Sequence, residues 1–255
     1  MENVSRKPFQ GVTNIIRFNW HFYVFAFALV ALLLFIKQFL PEQLIVTTLV
    51  LTFLILTSIT FSLAASYYIY DCSNLYTLDW LDDLNISVNS KLVNINAGFD
   101  ETSVLLSQKF PTSSLTVFDF YDPNKHTEIS IERARKAYPA FPETKTISTN
   151  AIPLKENSID IIFLVLAAHE IRIPEERTLF FKQLHASLTN DGKIIVVEHQ
   201  RDLSNFIAYN FGFFHFHSKK TWRHSFKTAE LILAEEFKIT PFIATFILKK
   251  NGSPS

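Results

Sequence analysis

Two uncharged stretches constrain this chain more than anything else in it. No Asp, Glu, Lys or Arg occurs from Asn19 to Ile36, or again from Gln43 to Tyr70. A helix that crosses the apolar part of a bilayer needs about 20 predominantly apolar residues. The second stretch is 28 residues long, more than the core helix of a soluble domain needs. Lys37, Pro41 and Glu42 lie between the two. The pattern predicts a transmembrane helical hairpin over 19–70, with helices at about 20–37 and 44–70, rather than two buried core helices.

The ends of the hairpin agree with this. Trp20, His21 and Tyr23 stand at one end and Tyr67, Tyr68 and Tyr70 at the other, as interfacial aromatic belts require. Arg6, Lys7 and Arg17 precede the first span, whereas the turn holds only Lys37. By the positive-inside rule, the N-terminal segment 1–18 and the large C-terminal part are expected in the cytoplasm. No small-x-small cleavage site precedes Lys37, so a cleaved signal peptide is not expected.

Beyond the hairpin the composition is that of an ordinary soluble domain. The chain holds 24 basic and 24 acidic residues, a balance that does not suggest a nucleic-acid partner. Cys72 is the only cysteine, which excludes an intrachain disulfide and a cysteine-built zinc site.

Residues 71–90 mix Asp71, Asp79, Asp82 and Asp83 with spaced leucines and predict an amphipathic juxtamembrane helix. From 91 to 255 strand-like and helix-like segments alternate. Strands are expected at Lys91–Ile95, Ser114–Phe120, Thr144–Ser148, Ile159–Leu166, Lys193–Val197 and Pro241–Lys249. Helices are expected at Glu101–Lys109, Ile129–Ala137 with Thr127 as its N-cap, Pro174–Leu188 and Lys227–Glu236, and Asn190-Asp191-Gly192 reads as a stop. Such alternation implies a mainly parallel α/β sheet, whose ligands bind beyond the C-terminal ends of its strands.

The residues at those ends form a specific succession. Asn94, Asn96, Gly98 and Asp100 follow the first strand, and Asp119 and Phe120 close the second. Asn150-Ala151 opens a segment running to Asp160, after which the apolar fourth strand leads into Leu166 and His169-Glu170. An amphipathic helix, Asp191-Gly192-Lys193 and an apolar strand ending in Glu198-His199 complete it. Over about residues 91–249 this order resembles the class I S-adenosylmethionine-dependent methyltransferases, with the flavour of their quinone-methylating and type 11 members. The resemblance implies a Rossmann-like α/β sheet with helices on both faces.

It also implies a cofactor site. The family's acid-x-Gly-x-Gly-x-Gly loop falls on Asn94, Asn96, Gly98 and Asp100, so only the middle glycine is kept. Ala97 lies in the same turn. Asp100 either reaches the cofactor's amino group or caps the next helix. Asp119 stands at the ribose-binding acid, with Asp122 as its rival, and Phe120 beside it. Asn150 and Ala151 stand where the family contacts adenine, unless Asn150 serves only an Asx turn; Leu166 ends the fourth strand.

His169 is the candidate base and Glu170 its neighbour, the alternative being that His169 only shapes its loop. His199, His215 and Trp222 are candidates for the acceptor pocket. The aromatic stretch from Phe211 to His224 suits a bilayer-facing cap, with Lys219, Lys220 and Arg223 toward anionic head groups, or plain core packing. Its three histidines lack a ligand spacing with a carboxylate, so no metal site is expected.

The expected activity is therefore methyl transfer from S-adenosylmethionine to a lipophilic small molecule, such as a quinone precursor, aryl pigment, isoprenoid or lipid, at a membrane surface. The alternative is a non-catalytic scaffold that keeps the fold, for which the missing glycines speak.

Overall fold

A computed structural model describes residues 6–251. The outermost ends of the expected segments 1–18 and 91–255 lie outside the described residues. Helix α1 spans Gln10–Ile36 and α2 spans Glu42–Tyr67. Both are long and apolar enough to cross a membrane, and only 6% and 11% of their apolar windows are buried. Phe22, Phe25, Val46 and Phe53 are more than half exposed, which distinguishes the pair from core helices. Thr48, Thr52 and Thr60 return their hydroxyls to carbonyls one turn back, as polar groups in an apolar surround must.

Helix α1 begins nine residues before its uncharged run. It bends at Asn19, which leaves helical geometry while its amide donates to the Ile15 carbonyl. The turns before the bend are fastened to the rest of the chain. Asp71 accepts the Gly11 and Val12 N–H groups at 2.7 and 2.8 Å, and so caps the helix that the chain itself leaves uncapped. Gly11 is required there, because a Cβ would stand 2.3 Å from that of Tyr70.

Seven strands form one sheet. They are β1 (Lys91–Asn96), β2 (Ser114–Asp119), β3 (Lys145–Thr146), β4 (Ile159–Val165), β5 (Leu188–His199), β6 (Leu231–Thr240) and β7 (Ile243–Lys250). Their order is β3-β2-β1-β4-β5-β7-β6. The first five are parallel, and β7 runs antiparallel to both β5 and β6. Alternation along the central strands feeds two cores. Ile162 and Leu164 of β4 meet Phe180, Phe181 and Leu184 of α5 (Pro174–Ser187) on one face. Ile161 and Phe163 meet Leu75, Leu78, Leu81 and Leu84 on the other. The remaining helices are α3 (Ser103–Lys109), α4 (Ile129–Ala137), α6 (Leu203–Tyr209) and α7 (Lys219–Thr228).

Four expectations need correction. Residues 71–90 form no single helix: a π turn at Tyr68–Cys72 and a 3-10 turn at Asp79–Leu84 lay the four leucines over the sheet instead. Lys227–Glu236 divides between the end of α7 and β6, because pairing with β7 outweighs the local helix propensity. Asn190-Asp191-Gly192 lies inside β5 beside a register shift, Gly192 fitting where a Cβ would stand 2.9 Å from the Ile159 carbonyl. Thr127 is not the N-cap of α4; Glu128 holds that place, without a side-chain capping bond.

Candidate active site

The loop after β1 is drawn inward by its own polar groups. Asn94, 1% exposed, donates to Thr102 and Ser103 at 3.0 and 2.8 Å. Asp100 accepts the backbone N–H groups of both residues at 2.9 Å. Of its two expected roles, one Asp100 oxygen therefore caps α3, while the other is buried without a partner. Asn96 accepts the Gly98 N–H at 3.1 Å, and its own amide nitrogen is also buried and unpartnered. Gly98 has φ +101°, and a Cβ there would stand 2.9 Å from the Tyr121 ring.

Asp119 at the end of β2 accepts the Tyr121 N–H and forms an ion pair with Arg135 of α4. Arg135 also donates to the Gly98 carbonyl at 3.2 Å. Asn96, Gly98, Asp100, Asp119 and Arg135 line a cavity of about 70 Å³ that Phe99 and Tyr138 close. The rival Asp122 instead turns back on its own loop, accepting the Asn124 N–H.

Two further cavities adjoin this one. The larger, about 220 Å³, is lined by Ala97, Glu101, Leu166, His169, Glu170 and His215 among others. The next, about 200 Å³, lies between Gly11, Asn14, Ile15 and Phe18 of α1 and Glu101 and Leu166 of the loops that follow β1 and β4. Phe99 lines all three, its ring against those of Phe18 and Tyr138 at 5.8 and 5.4 Å between centroids. Leu166 has φ +52°, a left-handed conformation costly for leucine and held by its N–H to the Val197 carbonyl. Glu101 joins the elements, accepting from Arg6 at 2.7 Å and from the Tyr76 hydroxyl at 2.9 Å.

At the 220 Å³ cavity two histidines and two carboxylates of its lining form a chain with a third carboxylate, Glu198, buried behind them. Glu198 of β5, fully buried, lies 2.7 Å from His169 Nδ1 and accepts the His169 backbone N–H as well. His169 Nε2 lies 3.3 Å from Glu170 Oε1. His215 Nε2 approaches the same oxygen at 3.2 Å, and its Nδ1 lies 2.9 Å from Glu128. Burial alone would lower the His169 pKa, but the Glu198 charge and its bonds to Glu170 and Glu198 push it up to about 10. Burial would raise Glu170, yet the two imidazoles hold it well below the usual carboxylate range. Arg172 donates to the His169 and His215 carbonyls, stapling the two loops together.

Other expected site residues stand apart. Phe120 packs on Phe180 in the first core. Asn150 and Ala151 are exposed and line none of the three cavities. His199 is buried against Phe216 and bonded to Tyr70 and Asn205, and burial lowers its pKa to about 4. Trp222 is a core residue, fully buried between Phe181 and Phe226, and cannot contact an acceptor. Lys219 and Arg223 both bind Glu236 rather than standing free for head groups. Sequence reasoning missed Arg135 as the partner of Asp119 and Glu128 as the partner of His215; only the place of Glu128 at the start of α4 marked it, and Arg135 in the last turn of that helix gave no signal.

No protein-family model and no curated protein matches the chain. Solved structures do. A protein of Pyrococcus horikoshii OT3 is similar over 70% of this chain and 90% of its own, at 14% identity and TM-score 0.52. The pyocyanin biosynthetic protein PhzM is similar over 69% of this chain and 54% of its own, at 10% identity and TM-score 0.50. A SAM-dependent methyltransferase from Aquifex aeolicus matches 69% of this chain and 91% of its own, at 13% identity and TM-score 0.48. The chain shares its Rossmann-like α/β fold with the Pyrococcus horikoshii protein. At such identities the likeness is one of fold, and the chemistry has to be argued from this chain's own residues.

Proposed function

We propose that the chain is a membrane-anchored methyltransferase that uses S-adenosylmethionine and takes a lipophilic acceptor from the bilayer. One observation carries this reading: the cavities at the strand ends meet around Phe99, and one of them is walled by the base of the apolar hairpin. The residues fit the cofactor in kind. Gly98 leaves room for a close approach, Asp119 offers a carboxylate at the ribose position, and the unpartnered atoms of Asn96 and Asp100 await a ligand. The cavity beside Asp119 is smaller than the roughly 300 Å³ or more of a ligand pocket. Binding therefore requires Arg135 to leave Asp119 and Phe99 to turn, which joins the cavities.

The cofactor, when bound, supplies an electrophilic methyl group. The protein supplies proximity and orientation. His169 is protonated at neutral pH and faces the acceptor cavity as a donor, and Glu170 stays ionised beside it. The pair would hold an acceptor oxygen and take part in moving its proton. The hairpin would span the membrane with the domain on the cytoplasmic side. Beside α2, to which Asn210 bonds through Ser58, the exposed Leu203, Phe206, Phe211 and Phe214 would dip into the interface.

The ion pair across Asp119 favours the second reading, a scaffold that retains the fold without cofactor. Calorimetric titration of the detergent-purified chain with S-adenosylmethionine decides between them. Micromolar binding that Asp119→Ala removes supports the enzyme; no heat from well-folded protein leaves the scaffold.

A further inference from the structure

The chain of His169, Glu170 and His215 is built like a metal site rather than like a row of ion pairs. Charge-assisted hydrogen bonds between nitrogen and carboxylate run about 2.7–2.9 Å. The two Nδ1 contacts, to Glu198 and Glu128, obey this at 2.7 and 2.9 Å. The two Nε2 contacts, both to Glu170 Oε1, are longer, at 3.3 and 3.2 Å. The two Nδ1 atoms are thus held by outer carboxylates, while the two Nε2 atoms converge on one oxygen of Glu170, where an ion would take the place of the Nε2 protons.

Two of the three inner distances, from Glu170 Oε1 to each Nε2, have the spacing a shared ion would impose. With bonds of about 2.0–2.1 Å at a tetrahedral angle, two ligands of one zinc ion lie about 3.3–3.4 Å apart. His169 Nε2, Glu170 Oε1 and His215 Nε2 all lie within 4.8 Å of one another. The outer carboxylates complete the arrangement, since ligating histidines characteristically donate their second nitrogen to a carboxylate that fixes tautomer and orientation.

We propose that His169, Glu170 and His215 bind a divalent transition-metal ion, with zinc the ion their donor set and spacing fit, and that Glu198 and Glu128 are its outer supports. The three ligands come from the 3-10 turn at Ala168–Glu170 and the turn at Asn210–His215, which the topology brings together from 45 residues apart. All three line the 220 Å³ cavity, so a further coordination position opens where a water or an acceptor oxygen can bind. In the loaded site the ion, rather than the His169 and Glu170 pair, would hold the acceptor oxygen, and a phenol or enol there would lose its proton more readily to water in the cavity, which makes a hydroxylated or carbonyl-bearing acceptor the fitting class.

The test needs no methyl donor, so its failure would leave the cofactor reading untouched. The full chain in detergent is stripped with chelator and titrated with Zn²⁺ by calorimetry, then with Co²⁺ followed by visible absorption. The expected result is one ion per chain, with the intense absorption of low-coordinate cobalt. His169→Gln and His215→Gln should each weaken Zn²⁺ binding at least about 100-fold, and Glu128→Gln about 10-fold. His224→Ala, at an exposed position, should change nothing. Circular dichroism verifies that each variant is folded; should the histidine variants fail to fold, the Glu128→Gln loss and the cobalt spectrum of the unaltered chain carry the test. Absence of uptake by the folded chain, or uptake that ignores these substitutions, overturns the site.

Discussion

Arg135 of α4 lies across Asp119 at the end of β2, and the same guanidinium sits 4.5 Å above the Tyr121 ring. The carboxylate that a ribose would need is thus already engaged, by a side chain 37% exposed and free to swing away. Replacing Arg135 by Leu should tighten S-adenosylmethionine binding about fivefold, the worth of a partly exposed ion pair. Asp119→Ala should abolish it. Calorimetry on both variants measures the two effects; weaker binding in Arg135→Leu would mean that Arg135 contacts the ligand instead of shielding its site.

The loop after β1 turns on Gly98. Its φ of +101° and the Tyr121 ring 2.9 Å from any added Cβ leave no room for a side chain. Gly98→Ala should cost about 1–3 kcal/mol of stability and lower cofactor affinity further than the melting shift accounts for. Thermal denaturation alongside titration separates the two; an unshifted melting curve would refute the strain.

The hairpin depends on Asp71 for its attachment. Removing the acceptor of two N–H groups at a helix start, by Asp71→Ala, should cost about 1–2 kcal/mol. Limited proteolysis should then cut faster near residues 6–9, ahead of the capped helix. Equal rates in both chains would show that the Phe18 and Arg133 contacts suffice without the cap.

His199 gives a pH signature. Its folded pKa of about 4 lies below the ordinary histidine value of 6.5, so between these values the unfolded chain binds a proton that the folded chain refuses. Stability from this group is full above pH ~6.5 and falls as pH drops toward ~4, by about 3 kcal/mol in all. Denaturant unfolding of the chain and of His199→Gln should differ in slope over that window. Parallel curves would place the acid sensitivity elsewhere.

Much of the fold was legible in the sequence because apolar periodicity reports burial directly. β4, with Ile161 and Phe163 on one face and Ile162 and Leu164 on the other, could only be a central strand. β6 was not legible, because Leu231–Glu236 has helix-favouring residues and becomes a strand only by pairing with β7. At the site, Asp119 and His169 were visible as strand-end residues. Their partners were not. Arg135 reaches Asp119 from a helix, and His215 reaches Glu170 across 45 residues, so neither pairing has a local spacing to read.

The fastening of α1 to the domain has a further consequence. Asp71, Arg133 and Tyr138 hold the first turns of that helix, and Arg6 just before it bonds to Glu101, so no slack linker separates the hairpin from the domain. A tethered catalyst can bob and tumble above a membrane and reach reactive groups at many heights. On the proposed reading this one would be a fixed gauge: the level of His169 relative to the bilayer would be set by the base of the hairpin. Acceptors would be sorted by how deeply their reactive atom floats, and only secondarily by the shape of the tail that carries it.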